Sequence, residues 1–584
     1  MGSRGRFIIR LNSFYIELQD ETLRFNIKLH IRLTFQKELN NSCLIDEVKF
    51  FHQIETHHTM DKLPPSIFND VIGPVMRGPS SSHTAASIRI ARMAACLLGQ
   101  PVKKAVFQFD PNGSLATTYD GQGSDIGLAS GFLGFDMKDE RIKDALQIAR
   151  ERGVKLEFII KPFRNNHPNT YKMTLTGEDN SQLELSAIST GGGMIEFIEL
   201  DGFTISSMGD YYEAFIVLKK QAAPYTDSLI DHLKQNDYID HVILQKKDYR
   251  LLLNIKSSSG SCKELVNSSN IFNHAVQVYY SEPVMPVLSG KNISVPFLDS
   301  QQALEFVKNT YREPWEIAAL YESHRSSFST GRVLEMMEEI VVLMNDSIQS
   351  GLMGTQYQDR ILGHQSHLIE QAETEGKLLP MGLVNRVIAS VMAMMEVKSS
   401  MGLIVAAPTA GACATVPCVL ITVGKELNLG NKDIAKGMLV AGLIGVFIAD
   451  KSTFSAEVAG CQAETGSATG MAAAGLVQLA GGDLKTSFDA SSMALQNIFG
   501  LACDPVANRV EVPCLGKNIM AAVNAMTTAN MALAGIEAVI PLDEVIIALD
   551  KTGRSLPFEI RCTGYGGLCM TPSASLLEEK MKRS

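Results

Sequence analysis

A basic run is missing from this 584-residue chain. Its 53 Lys and Arg face 63 Asp and Glu for a net charge of −10, and an acidic chain without a cationic block lacks the electrostatic footprint of a nucleic-acid binder. No membrane span is visible either. The longest apolar stretches, around 402–424 and 438–449, are broken by Pro408 and Pro417 or are too short to cross. No secretory signal is recognisable ahead of the ten cysteines, so a disulfide framework is not expected and reduced thiols in a cytoplasmic protein are. No CxxC pair and no ferredoxin-type cysteine run is present, and none of the twelve histidines lies beyond His367. What is there is the composition of an ordinary folded protein, 45% apolar and 20% charged, long enough for three or four domains.

The pattern predicts an α+β multidomain chain with four segments. Residues 1–59 carry no sustained period and read as an N-terminal extension, with organised sequence starting near Met60. Residues 60–201 alternate helix and strand: an amphipathic helix over 87–98 stops at Gly99, and strands are expected over 104–109, 156–160 and 182–188. Residues 202–292 place strands 214–218, 241–245 and 250–255 around a helix at 226–236, the order of an ACT-like regulatory fold. From 299 to 584 an all-α segment is expected. There Val333, Met337, Ile340, Met344 and Ile348 mark one apolar stripe closed by Gly351, while 436–449 and 518–536 are apolar on nearly every face, as befits the centre of a bundle.

Three cysteines sit at predicted helix ends. Cys461 precedes a helix, Cys503 follows one, and Cys514 follows Pro513 just ahead of another. Partial positive charge at a helix N-terminus favours thiolate, the form that binds iron or zinc. The spacing, 42 residues and then 11, fits no standard metal motif, and buried structural thiols account for it equally well. A site there that needs an imidazole must borrow it from elsewhere. His83 closes Gly78-Pro79-Ser80-Ser81-Ser82-His83-Thr84 ahead of a helix, and His167 opens His167-Pro168-Asn169-Thr170. A Ser-rich helix start can hold a carboxylate, although simple capping explains the serines and a solvated loop explains His167.

Taken together these runs resemble the iron–sulfur-dependent L-serine dehydratases, with β and α segments fused. The resemblance rests on 78–84, 167–170 and the Gly191-Gly192-Gly193 turn in the first part. In the second it rests on Ser400-Met401-Gly402, AAPTAGA at 406–412, Ala459-Gly460-Cys461-Gln462-Ala463-Glu464, Cys503-Asp504-Pro505-Val506-Ala507, Val512-Pro513-Cys514 and Gly566-Gly567-Leu568. It implies a serine-dehydratase β-type α/β domain at 60–201 and a catalytic domain at 299–584. It also implies a [4Fe–4S] cluster on Cys461, Cys503 and Cys514, with Cys413 left out. The implied activity is elimination of water from L-serine to give pyruvate and ammonia. His83 and His167 become base and orienting candidates, and Ser81, Ser82, Asn169, Thr409 and Gly411 become candidates for holding the substrate. The partner is then a small molecule, with a homodimer as the expected assembly. Where many relatives carry Gly-His-x-Thr-Asp, this chain reads Gly121-Gln122-Gly123-Ser124-Asp125, and in place of a terminal cysteine it has Cys562 and Cys569 farther inside. L-Threonine or L-cysteine as substrate, a non-enzymatic redox sensor and a pyridoxal-phosphate dehydratase are the competing readings.

Overall fold

The computed structural model describes residues 7–11, 14–18, 63–268, 275–308 and 312–583. The chain divides into two units, Met1–Lys62 and Leu63–Ser584. In the first, β1 (Phe7–Leu11) and β2 (Phe14–Leu18) form an antiparallel hairpin with Ile9 opposite Ile16. The rest of the expected extension, and its junction at Met60, lie outside the described residues.

The second unit opens with a short helical turn, Ile67–Val71, and β3 (Val75–Arg77). A six-stranded sheet follows, built from β4 (Val102–Phe109), β5 (Lys155–Ile160), β6 (Thr170–Gly177), β7 (Gln182–Gly191), β8 (Met194–Leu200) and β9 (Phe203–Ser207). The order is β5-β4-β6-β7-β8-β9, with β4 and β5 parallel and the other pairs antiparallel. Helix Ala86–Leu98 buries Ile90, Met93, Ala94 and Leu97 against Phe107, Phe109, Tyr171 and Phe197 of this sheet. It ends at Gly99, whose φ of 73° is the left-handed cap that glycine adopts without strain. The sheet runs past the boundary expected at residue 201: Asp201 and Gly202 form the turn between β8 and β9.

Four more strands, β10 (Tyr212–Lys219), β11 (Ile239–Lys247), β12 (Arg250–Ser257) and β13 (Ala275–Ser281), make a separate antiparallel sheet in the order β11-β12-β10-β13. With helices Ala223–Lys234 and Cys262–Ser268 in between, the chain order is β-α-β-β-α-β, the ferredoxin-like arrangement. Strand β10 is buried on both faces. Ala214, Ile216 and Leu218 pack with Leu233 and Val266 from the module's own helices, whereas Phe215 and Val217 join the core of the six-stranded sheet.

Beyond residue 299 the elements are helices with one exception to the all-α expectation, β14 (Leu403–Val405), which pairs antiparallel with β3. At the centre lies helix Asn431–Lys451, buried at every position from Ile434 to Ile448 apart from Lys436, which is half-buried. An all-round apolar helix can only sit where no face meets water. The turn Ile67–Val71 joins this helical core, although in sequence it precedes the α/β segment. The Ser66 hydroxyl and the Ile67 N–H both donate to the buried carboxylate of Glu322, each at 2.7 Å. Gly351 does not stop its helix. The helix runs Thr330–Met353, and Gly351 marks where it crosses Leu383–Ser399 so closely that a Cβ would lie 2.2 Å from Ala393 O. Among the described residues no helix is long and apolar enough to cross a membrane.

Candidate active site at the junction of the two halves

Ser80 starts a wide helical turn, Ser81–Ala85, ahead of helix Ala86–Leu98, and its hydroxyl accepts from His83 N at 3.3 Å. That is the capping role which the sequence allows. The next three side chains do more. Ser81 Oγ accepts from Ala410 N at 3.1 Å, tying this turn to the Ala406–Ala412 loop of the helical half. Ser82 Oγ donates to Glu457 Oε1 at 2.9 Å. His83 is fully buried, with Nε2 2.8 Å from Thr118 Oγ1 and Nδ1 3.1 Å from Ser82 Oγ and 3.7 Å from Glu457 Oε1. Burial holds its pKa below the ordinary imidazole value, against the opposing pull of Glu457.

His167 is half-buried and accepts from Asn169 N at Nδ1 (3.2 Å). Its pKa is also lowered by burial, again with Glu457 as the opposing charge. The Asn169 side chain is wholly buried, and its amide is a hydrogen-bond neighbour of the Glu457 carboxylate, which it helps to keep ionised. Glu457 thus meets His83 directly and acts on His167 through its charge. Burial alone would raise its carboxyl, but the charge of His83 and the hydroxyl of Ser455 (2.7 Å) bring it below its usual value.

On the helical side, Thr409 Oγ1 donates to Glu464 Oε1 at 2.8 Å and accepts from Ala412 N. Gly411 lets this loop approach Glu464 closely, since a Cβ would sit 2.9 Å from the carboxylate and push it aside. Burial pushes Glu464 up to about 8. Its carboxylate and the sulfurs of Cys461 and Cys503 lie within 4.8 Å of one another. Cys461 and Cys503 share a buried cluster with Cys562, because Cys562 N donates to Cys503 O (2.9 Å) and Cys503 N to Ile560 O (2.8 Å). Cys514 begins helix Cys514–Leu533. Lys517 Nζ reaches Cys461 Sγ (3.6 Å), Ala502 O (2.6 Å) and Asp504 Oδ1 (3.0 Å). Burial would lower the Lys517 pKa, and the charges of Cys461, Cys503, Cys514 and Asp504 together reverse that.

Of the three cysteines only Cys461 is held toward thiolate, and neighbouring side chains are the cause. Cys461 is held below the usual thiol value by its hydrogen bond with Cys503, helped by Lys517. Cys503 is raised by Cys461 and Cys562 as hydrogen-bond neighbours, then by burial, and Cys514 by burial and then Cys461. Burial also pushes Cys413 up to about 12, the behaviour of an inert packed thiol.

Three of these groups were not singled out by the sequence, Glu457, Thr118 and Lys517, while Gln122 and Cys562 were noted there only as departures from the relatives. No helical face links Glu457 to Cys461 and Glu464, because Gly460 breaks the helix between them. Gln122, in the loop that departs from the relatives, is buried and donates from Nε2 to Cys562 Sγ at 3.4 Å. Ser114 Oγ donates to Cys562 O at 2.7 Å, so the cysteines connect through Ser114 and Thr118 to His83. A cavity of about 860 Å³ is lined by Thr117 and Gly121, the chain neighbours of Thr118 and Gln122, together with Asn508, Arg509 and Gly564.

Soft sulfur donors on one side, and neutral imidazoles with hydroxyls on the other, make a thiol-lined acid–base enzyme site. The family model described as serine dehydratase alpha chain matches residues 274–569, and this chain belongs to that family. A probable L-serine dehydratase alpha chain of Bacillus subtilis (strain 168) is 41% identical over 249 residues, 43% of this chain and 83% of that one. The probable L-serine dehydratase beta chain of the same organism is 46% identical over 152 residues, 26% of this chain and 67% of that one. An L-serine dehydratase of Helicobacter pylori (strain ATCC 700392 / 26695) is 28% identical over 347 residues, 57% of this chain and 76% of that protein. An iron–sulfur centre suits the residues present, because the buried sulfurs of Cys461 and Cys503 lie together beside Glu464 and cysteine sulfur is the usual donor to such clusters.

Proposed function

We propose that this chain is an L-serine ammonia-lyase, releasing pyruvate and ammonia from L-serine. The observation that carries the reading is the double match: one part resembles L-serine dehydratase alpha chains and another a beta chain. Cys461, Cys503 and Cys514 are the residues proposed to hold a [4Fe–4S] cluster. When bound, such a cluster supplies an iron without a cysteine ligand, a Lewis acid toward the departing hydroxyl.

The chain's own groups do the rest. His83, neutral because burial disfavours its charged form, is the proposed acceptor of the α-proton, and His167 orients the substrate from the facing loop. The buried amide of Asn169, beside Glu457, and the Ser81 hydroxyl, whose hydrogen is not taken by Ala410 N, are offered to the substrate carboxylate. Ser82, Thr409 and Gly411 line the same place, with Ser82 held by Glu457 and Thr409 by Glu464. The large cavity beside Gly121 is the proposed approach for substrate. The ferredoxin-like module within 202–292 is read as regulatory, residues 1–59 as dispensable for the chemistry, and the assembly as a cytoplasmic homodimer.

The test is anaerobic purification with iron and sulfide counts, followed by pyruvate release from L-serine, L-threonine and L-cysteine. L-Serine should be turned over with the highest kcat/KM. A preparation with iron that releases no pyruvate from any of the three overturns the reading.

A further inference from the structure

We propose that Glu457 is a positioning residue for the elimination: its carboxylate holds the Ser82 hydroxyl so that an oxygen lone pair faces His83 Nδ1, and it is the counter-charge for the proton that nitrogen receives. The inference rests on reading His83 as the base.

Hydrogen accounting fixes the ring. Thr118 Oγ1 lies 2.7 Å from the backbone oxygen of Ser114, which can only accept, so the single Thr118 hydroxyl hydrogen points there. The same Oγ1 is 2.8 Å from His83 Nε2. Nε2 therefore carries the ring hydrogen and donates it to Thr118, which leaves Nδ1 bare. Three polar groups face Nδ1: Ser80 Oγ at 3.2 Å, Ser82 Oγ at 3.1 Å and Glu457 Oε1 at 3.7 Å. Ser80 can donate to it in the resting state. Ser82 cannot, because its hydrogen goes to Glu457, an acceptor only.

In the resting ring the one Nδ1 lone pair takes the Ser80 hydrogen, and the Ser82 oxygen beside it at 3.1 Å offers only a lone pair. That second contact is poor for neutral imidazole and becomes favourable once Nδ1 is protonated. With the carboxylate behind it, the arrangement is complementary to the imidazolium formed during reaction more than to the resting ring. In that step the Cα–H bond breaks and an N–H bond forms at Nδ1. The electron pair left on Cα becomes the Cα=Cβ bond, and the Cβ–O bond breaks with its pair leaving as hydroxide.

A purely structural role explains less. Glu457 is buried at 5% exposure, and His83 is the basic group that meets its carboxylate, Nδ1 to Oε1 at 3.7 Å. A buried carboxylate without a partner is costly. Its second oxygen is held by Ser455 Oγ, so the carboxylate is fixed from the helical half while it acts on a histidine from the other.

The experiment uses the full-length holoenzyme with Glu457→Gln, Glu457→Asp, His83→Ala and the Glu457→Gln/His83→Ala double variant. Glu457→Gln should lower kcat about 10- to 100-fold, the worth of a lost charge-assisted contact, with KM for L-serine little changed. Iron content and visible absorption should stay at wild-type level, and Glu457→Asp should recover part of kcat. In the His83→Ala background, adding Glu457→Gln should cost less than about threefold, because groups acting as a unit are not additive. An equal loss in both backgrounds overturns the proposal, and so does wild-type kcat in Glu457→Gln. If Glu457→Gln loses its iron, Ser82→Ala, which keeps the carboxylate, replaces it in the same cycle with the same two outcomes. Wild-type turnover by His83→Ala refutes the base assignment itself, and is read from that single variant alone.

Discussion

Ser81→Ala tests whether the junction between the two halves matters for turnover. Ser81 and Ala410 are 2% and 0% exposed, and the Ser81 oxygen is the acceptor for Ala410 N–H at 3.1 Å. Alanine removes one atom and leaves that N–H buried without an acceptor, at a cost of about 1–3 kcal/mol. No steric conflict arises, so the cost falls on how firmly the serine turn is held to the loop carrying Thr409 and Gly411. If that registration is needed for the transition state, kcat/KM for L-serine should fall by about 5- to 160-fold, the same energy expressed as a rate. Steady-state kinetics on protein with matched iron content is the assay, and a thermal melt should show a drop of only a few degrees. A variant that melts lower but keeps kcat/KM within twofold would refute the reasoning, because the bond would then stabilise without positioning.

Changing Cys461, Cys503 or Cys514 to Ser should in each case remove iron, visible colour and activity together, as read by metal analysis and absorption. His83→Ala and His167→Ala should instead keep iron while kcat falls by about 10²–10⁴, the usual share of a positioned acid or base. Because burial lowers the His83 pKa, the base stays unprotonated below pH 6.5, and the acid limb of kcat/KM should lie well under that of a free imidazole. Folding stability should decline as pH drops below 6.5, where the unfolded chain takes up the proton first; chemical denaturation across pH checks the sign. Gly351→Ala should cost about 1–3 kcal/mol by overpacking, since its Cβ would meet Ala393 O at 2.2 Å, seen as a lower denaturation midpoint.

The helix ending at Gly99 and the alternating strands 104–109 and 182–188 were readable because each buries one face, so period and burial coincide. Ile67–Val71 was not. Five residues carry no period, and their place in the helical core is decided by Glu322, more than 250 residues away. The three-residue pairing of β3 with β14 is likewise too short to leave a pattern. Gly351 misled because a glycine near a helix end reads as a stop, while here it permits contact with Ala393. At the site, Cys461, Cys503 and Cys514 stood out locally only as cysteines at helix ends, and their choice as ligands came through resemblance because their spacing fits no metal motif. Glu457 was passed over because a lone glutamate reads as a solvated helix face, and only tertiary structure sets it beside His83.

The pairing of β3 with β14 has a consequence for how the site responds to concentration. In Bacillus subtilis the two matched parts are named as separate chains. Two such chains meeting through the β3–β14 pair, the buried turn 67–71 and the serine turn would still separate on sufficient dilution, and their joint chemistry would be lost with them. Here one covalent backbone carries both surfaces, so closure is intramolecular, at an effective concentration in the millimolar range for a short tether. The fused chain should therefore keep a constant specific activity over dilutions at which an equivalent cut between 281 and 299 would make activity fall with the square of protein concentration.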